Sequence, residues 1–134
     1  MLGEQIGEVR GKRTARRVLC TEGSGFKVEV SFESDGKVLG VDTHEIGTYW
    51  SRPRPDGGLY GEGEGVVLTP DGGMATWKGG GVGKFGAGGA VSYRGAIYYT
   101  TAHPKLARLN GVAVVFEFEV DAQGNTVSKI WEWK

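Results

Sequence analysis

Two glutamates in the run Gly61-Glu62-Gly63-Glu64-Gly65 are the residues of this sequence best suited to chemistry. Burial among apolar neighbours raises the pKa of a glutamate toward the range that acid–base catalysis uses. We expect Arg94 to pair with Glu62, and a cation opposes that rise. Glu64 lacks such a partner and is expected beside Tyr49, so it is the better acid or base. The candidate catalytic residues are Glu64, Glu62, Arg94 and Tyr49.

Aromatic side chains and a further carboxylate are expected on the same face, where they would contact a ligand. The candidate ligand-binding residues are Trp77, Tyr98, Tyr60, Glu45 and Phe116. Gly79, Gly81 and Gly83 leave space beside them, and such a void is typical of a small-molecule site in a barrel mouth. Equally, glycine could simply relieve crowding there, with Glu62 and Arg94 forming an internal ion pair that has no function.

Turn signals between the strands predict the pairing that brings these residues together. Two-residue turns at Asp56-Gly57 and Asp71-Gly72 place Glu64 opposite both Tyr49 and Gly79. The side chains of these residues would then share one face of the sheet.

The next hairpin is expected to place Trp77 opposite Tyr98 and Arg94 opposite Gly81. Glu62 is expected opposite Gly81 from the other side, so it would reach Arg94 across that glycine. This face is the richer in apolar residues and is therefore expected to line the interior of a barrel.

Alternation of apolar and polar residues predicts strands along most of the chain. Phe26, Val28, Val30 and Phe32 alternate with polar residues, as in a half-buried strand. Glycine-rich turn signals, the first at Asp35-Gly36, separate such runs. The predicted strands lie near residues 12–20, 26–33, 38–50, 59–69, 74–85, 90–101, 112–120 and 126–133.

Eight sequential strands joined by tight turns predict an all-β fold. We expect one eight-stranded antiparallel up-and-down β-barrel over residues 1–134, because closure leaves no sheet edge exposed. Residues 104–109 are the only helical candidate and predict a short helical turn. The 25 glycines among 134 residues suit strands that bend sharply around a small barrel.

Charge and composition exclude several classes of protein. The 16 Lys and Arg balance the 16 Asp and Glu, whereas nucleic-acid binders and membrane-surface binders usually carry a basic excess. One cysteine excludes a disulfide framework. No apolar run is long enough to span a bilayer, and the N-terminus lacks the apolar core of a signal peptide. We therefore expect a cytoplasmic protein with no nucleic-acid or membrane partner.

Motifs for cofactors and metals fail on their context. The run Gly81 to Gly86 matches G-x-G-x-x-G, but a strand follows it where dinucleotide binding requires a helix. Asp42 and His44 face away from Glu45 on a strand, so they do not form a metal site with it. We expect neither cofactor nor metal. The basic run Arg10 to Arg17 is expected to end the barrel and pair with neighbouring glutamates, and phosphate binding is the less favoured alternative.

The segment GEGEGVVLTPDGGMATWKGGGVGKF, with RGAIYY and LNGVAVVFEFEVDAQGN after it, resembles small bacterial proteins of the allene oxide cyclase-like barrel group. The group includes stand-alone bacterial members of unknown function. The resemblance covers roughly residues 25–134 and implies an eight-stranded barrel with a hydrophobic interior that forms homo-oligomers. Plant enzymes of the group cyclise a fatty-acid epoxide by steering its conformation, with a glutamate at the cavity. The resemblance does not assign that glutamate to Glu62 or Glu64.

The sequence therefore predicts a barrel that binds an apolar or amphipathic small molecule in its interior. An isomerase or cyclase is the enzymatic version, with Glu64 or Glu62 moving a proton. The alternative is a non-catalytic scaffold with a filled interior. Its outer face would form an oligomer contact through Val82, Val91, Tyr93, Ile97 and Tyr99.

Overall fold

The computed structural model describes residues 1–23 and 25–134. Its strands are β1 (Leu2–Cys20), β2 (Lys27–Val38), β3 (Val41–Pro53), β4 (Leu59–Leu68), β5 (Met74–Phe85), β6 (Val91–Thr101), β7 (Val114–Val120) and β8 (Asn125–Trp133). Each strand pairs antiparallel with the next and β1 pairs with β8, so the sheet closes into a barrel. The predicted fold is confirmed, including the short 3₁₀ helix at Pro104–Leu109. No helix in the described ranges is long and apolar enough to cross a membrane.

Four of the hairpin loops contain three residues and end on a glycine with positive φ. The β5–β6 loop, Ala87–Gly89, is closed by the Gly86–Ala90 pair and ends at Gly89 with φ of 88°. The other three share one hydrogen-bond pattern. Gly57, Gly72 and Gly124 have φ of 88°, 84° and 85°. The N–H of each donates to the carbonyl of the residue before its loop, at 3.0–3.1 Å. This is a type I turn followed by a bulge. A two-residue turn at Asp71-Gly72 would instead make Pro70 part of the closing pair, where it has no N–H to donate.

This loop length shifts the pairing of β3 to β6 by one residue from the predicted register. Glu64 pairs with Lys78 rather than Gly79, and Trp77 pairs with Tyr99 rather than Tyr98. Because side chains alternate between faces, a shift of one residue exchanges inside and outside for one strand of each pair. Tyr93, Ile97 and Tyr99, expected outside, are buried, and the predicted apolar outer face therefore loses its largest members.

The first hairpin also turns later than predicted. Leu39 and Gly40, with φ of 51° and 76°, form its two-residue turn, while Asp35 and Gly36 continue β2. A Cβ on Gly36 would lie 2.2 Å from the Glu8 carbonyl oxygen, so this glycine permits close approach of β1. β1 begins at Leu2, ten residues before its predicted start.

One end of the barrel is closed by the 3₁₀ helix at Pro104–Leu109. Leu106 and Leu109 are fully buried there. The ring of His103 caps this helix by accepting a hydrogen bond from the Lys105 N–H at 3.1 Å. Its other nitrogen lies 3.0 Å from the Asp71 carboxylate, which ties the helix to the β4–β5 hairpin. We call this the closed end.

We expect Leu106→Ala to lower the free energy of unfolding by about 2–5 kcal/mol, because it leaves a cavity in the closed end. Urea denaturation followed by far-ultraviolet circular dichroism measures this loss. Lys105→Ala, at the exposed neighbouring position, is the control and should change stability by less than about 0.5 kcal/mol. Equal stability of the two variants would show that the helix does not pack on the barrel.

Candidate functional site

Three of the four predicted catalytic residues lie outside the barrel, so their expected place in its interior is wrong. The Glu64 side chain is 68% exposed and lies 3.7 Å from Lys78. Arg94 pairs on the outer surface with Glu119 at 2.9 Å, so no ion pair joins it to Glu62 across Gly81. Glu62 instead accepts a hydrogen bond from Tyr60.

Two predicted ligand-binding residues are also on the outer surface. Tyr98 is 58% exposed, and Tyr60 packs edge-on against Trp50 with ring centroids 5.7 Å apart. Tyr60 changed face together with Glu64 on β4, and Tyr98 changed face with the register of β6, so neither can contact a ligand in the interior.

Five of the predicted site residues contribute to the wall of an internal cavity, namely Glu45, Tyr49, Glu62, Trp77 and Phe116. Glu62 alternates outward on β4 and is exposed, so the other four are the ones that the structure brings together inside. Tyr93, Tyr99 and Phe118 also line the cavity and were missed. Tyr93 and Tyr99 were missed because the β5–β6 loop has three residues, Ala87–Gly89, instead of the four expected from Gly86 to Gly89, and this one-residue difference turns β6 over.

Glycines in β3, β4 and β5 determine where the barrel interior has open space and where side chains fill it. A Cβ on Gly47, Gly65 or Gly83 would lie 2.4–2.7 Å from the ring of Phe32, Trp77 or Tyr93, so aromatic rings occupy the space at those three positions. The glycines that line the cavity are Gly61, Gly63, Gly79 and Gly81, with Gly7 and the outward-alternating Gly80. Space beside Gly79 and Gly81 is therefore as predicted, whereas Tyr93 covers Gly83. The volume open to the centre of a water molecule is about 80 Å³.

Four aromatic rings pack against one another on one side of the cavity. Phe32 and Phe118 have centroids 5.1 Å apart, and Tyr49 packs edge-on against both Tyr93 and Phe118 at 5.7 and 5.8 Å. The hydroxyls of Tyr93 and Ser51 are hydrogen-bonded at 2.8 Å. Burial raises the pKa of Tyr49 and of Tyr93, so both phenols stay protonated and neutral near pH 7.

Glu45 places a carboxylate in this apolar interior. It is 8% exposed, and its only hydrogen bond to another described residue comes from the Trp77 indole N–H at 2.6 Å. Burial raises its pKa to about 7, although the Trp77 hydrogen bond opposes the rise. An ionised carboxylate can accept about four hydrogen bonds, so Glu45 keeps unused acceptor capacity.

Ser34 is the direct partner of Glu45 across the β2–β3 pair, and its buried hydroxyl has no hydrogen-bond partner among the described residues. Tyr99 is another polar group near Glu45. Its hydroxyl makes no hydrogen bond to the described residues, and burial together with the charge of Glu45 raises its pKa well above the usual value. It is therefore a neutral donor or acceptor within the cavity wall. The arrangement offers a carboxyl group that is half ionised near neutral pH, a phenol and aromatic walls. Among the described residues, no group of three His, Cys, Asp or Glu side chains could hold a metal ion.

We expect the raised pKa of Glu45 to make stability depend on pH. The carboxyl has a pKa of 4.5 when unperturbed and about 7 in the folded protein, so the folded state binds more protons between these values. The free energy of unfolding should fall by about 3 kcal/mol as pH rises from 4 to 8. Glu45→Gln should abolish this part of the fall.

The measurement is urea denaturation of wild type and Glu45→Gln at several pH values, with Glu64→Gln as the control. The difference in stability between wild type and Glu45→Gln should grow in favour of the variant as pH rises. A difference that is constant with pH would show that Glu45 is hydrated.

Comparisons with known proteins show the fold alone. No family model matches this sequence, and no curated protein matches it. A conserved protein of unknown function from Rhodopseudomonas palustris superposes with a TM-score of 0.81 at 16% identity, covering 98% of this chain and 97% of the other. A protein of unknown function from Clostridium acetobutylicum ATCC 824 gives 0.82 at 13%, covering 96% of each chain.

A β-barrel-like protein from Acinetobacter baumannii AYE also gives a TM-score of 0.82 at 13% identity, covering 100% of this chain and 96% of the other. None of these three descriptions names an allene oxide cyclase, so the resemblance to that group stays a prediction. This chain is similar in fold to small bacterial barrels whose function is unknown.

Proposed function

We propose that this protein binds a small, flat, mostly apolar molecule in the barrel interior, with a hydrogen-bond donor of that molecule on Glu45. The observation that carries the proposal is the unused acceptor capacity of a buried carboxylate, Glu45, in the wall of the glycine-lined cavity. A buried carboxylate without a cation costs stability. A ligand that donates to it would recover part of that cost.

The size and walls of the cavity limit the ligand. The space open to the centres of water molecules is about 80 Å³, so the cavity itself is larger by a shell one water radius thick and holds several water molecules, on the order of 200–300 Å³ of liquid. This is the size of a bicyclic aromatic molecule. The rings of Trp77, Tyr49 and Phe116 favour an aromatic ligand, because aromatic pairs gain about 0.5–1.5 kcal/mol beyond the area they bury.

The test uses 2-naphthol, whose hydroxyl can donate to Glu45. We expect calorimetric titration of the purified protein to give a dissociation constant on the order of 0.1 mM. Ser128 lines the cavity from β8, so Ser128→Leu should fill it and weaken binding about tenfold or more. Lys129→Leu introduces the same leucine side chain at the next residue of β8, which faces outward, and should leave binding unchanged.

Failure of wild type to bind 2-naphthol, or equal binding by Ser128→Leu, would contradict the proposal and favour the non-catalytic scaffold. Native mass spectrometry of the same samples reports any small molecule retained from the cell. It also reports whether the chain forms homo-oligomers, which we propose on the resemblance alone.

A second candidate function is proton transfer, as in an isomerase or cyclase, and Glu45 takes the role first expected of Glu64. The raised pKa of Glu45 favours it, because a general base works best with a pKa near the working pH. The carboxylate would take a proton from the carbon beside a ligand carbonyl. Burial, together with the charge of Glu45, raises the pKa of the nearby Tyr99 phenol. The Tyr99 hydroxyl would donate a hydrogen bond to the enolate oxygen and stabilise it.

Deuterium exchange from heavy water into 2-tetralone tests this second candidate. If Glu45 is a base, the protein should accelerate exchange at the carbons beside the carbonyl, and Glu45→Gln should remove about 10²-fold or more of that rate. Glu64→Gln is the matched control on the outer surface. Exchange no faster than in buffer would limit the protein to binding.

A further inference from the structure

β1 carries two arginines on the inner face, beyond its last residue pair with β8. The last strand pair between β1 and β8 is Lys12 with Asn125, and the Arg13 N–H donates to the Gly124 carbonyl of the β7–β8 loop at 2.8 Å. Beyond Arg13, β1 pairs only with β2. This part of β1 lies at the end of the barrel opposite the closed end, since the β1–β2 and β7–β8 loops share that end. One edge of the sheet is therefore free there, and side chains on its inner face can reach toward the interior.

A bulge places both arginines on the inner face. Arg13 pairs with Phe32 and Arg16 pairs with Val30, and both partners are buried inside the barrel. In a regular strand, residues three apart point to opposite faces. The register shift between Arg13 and Ala15 adds one residue and returns Arg16 to the face of Arg13.

Neither of these arginines is neutralised by the described residues. No described carboxylate lies within 4.0 Å of Arg13 or Arg16, whereas Arg10 pairs with Glu8 and Arg17 pairs with Glu29. The prediction that the basic run pairs with neighbouring glutamates is thus met at Arg10 and Arg17, and among the described residues it is not met at Arg13, Arg16 or the outward-facing Lys12.

Arg13 is half-buried and Arg16 is exposed, and neither lines the cavity, but both lie near Tyr49. This tyrosine lines the cavity, and the two guanidinium groups lower its pKa against the larger effect of burial. The interior therefore has opposite polarity at its two ends, with a carboxyl group at Glu45 and two cations beyond Tyr49.

We infer that Arg13 and Arg16 bind the carboxylate of the ligand whose apolar body fills the cavity. The inference rests on the proposed function and adds a ligand class to it: a flat aromatic monocarboxylate with a hydrogen-bond donor at its other end. Arginine presents paired N–H donors that match a carboxylate. The reverse orientation is unfavourable, because it would place the ligand carboxylate against Glu45.

The test compares 6-hydroxy-2-naphthoate with 2-naphthol, which has the same rings and hydroxyl but no carboxylate. In calorimetry at pH 7, wild type should bind the hydroxynaphthoate about tenfold or more tightly. That advantage should shrink as salt is added. The double variant Arg13→Gln/Arg16→Gln should lose the advantage and still bind 2-naphthol, which shows that it is folded. Arg17→Gln, on the outer face, should behave as wild type.

The outcomes separate the two ideas. Equal binding of both probes by wild type, or an advantage that survives in the double variant, would overturn the role of the arginines and leave the proposed function standing. Binding of neither probe would overturn both. A larger loss in Arg17→Gln than in the double variant would place the anion on the outer surface and would also overturn the inference.

Discussion

One glycine in each three-residue hairpin loop controls which residues of this barrel face its interior. The positive φ of Gly57 and Gly72 closes loops that contain an odd number of residues, and this fixes the pairing of β4 with both of its neighbours. Every residue of β4 would change face if either loop lost one residue. The position of the two glutamates in β4 on the outer surface is a direct consequence. So is the row of glycines that β4 turns inward.

That row of glycines explains how a small barrel contains large rings and still has free space. Rings from neighbouring strands lie over Gly47, Gly65 and Gly83, within 2.4–2.7 Å of the position of a Cβ, whereas the nearest ring atoms to Gly81 and Gly61 lie at 3.1 and 3.8 Å. Backbone crowding makes the arrangement hard to alter, since a Cβ on Gly79 would lie 2.2 Å from the Ala96 carbonyl oxygen. The cavity is thus a result of strand curvature and cannot be filled by exchanging glycine for alanine at that position.

The alternation of residue types was enough to predict eight strands, their order and closure of the sheet. Two assumptions about loop length caused the failures. Arg94 and Tyr98 failed because the β5–β6 loop was given four residues instead of three. Glu62, Glu64 and Tyr60 failed because β4 was given two-residue turns at both of its ends. Pro70 carried the missing information, since a residue without an N–H cannot donate in the closing pair of a two-residue turn. Glu45 and Trp77 were placed correctly inside, yet their hydrogen bond joins β3 to β5 across β4, and only the closed geometry brings them together.

The energetics of Glu45 are the physical basis of the binding role that we propose. A barrel selected for stability alone gains from an apolar residue or a glutamine at this position, because a carboxyl group with a pKa near 7 costs free energy whenever it ionises. Trp77 supplies one donor, which is too few to satisfy a carboxylate. Arg13 and Arg16, at the other end of the interior, have no carboxylate partner among the described residues and are a second departure from the most stable arrangement. Departures from local rules that have no compensation within the fold are typical of sites where a ligand supplies it.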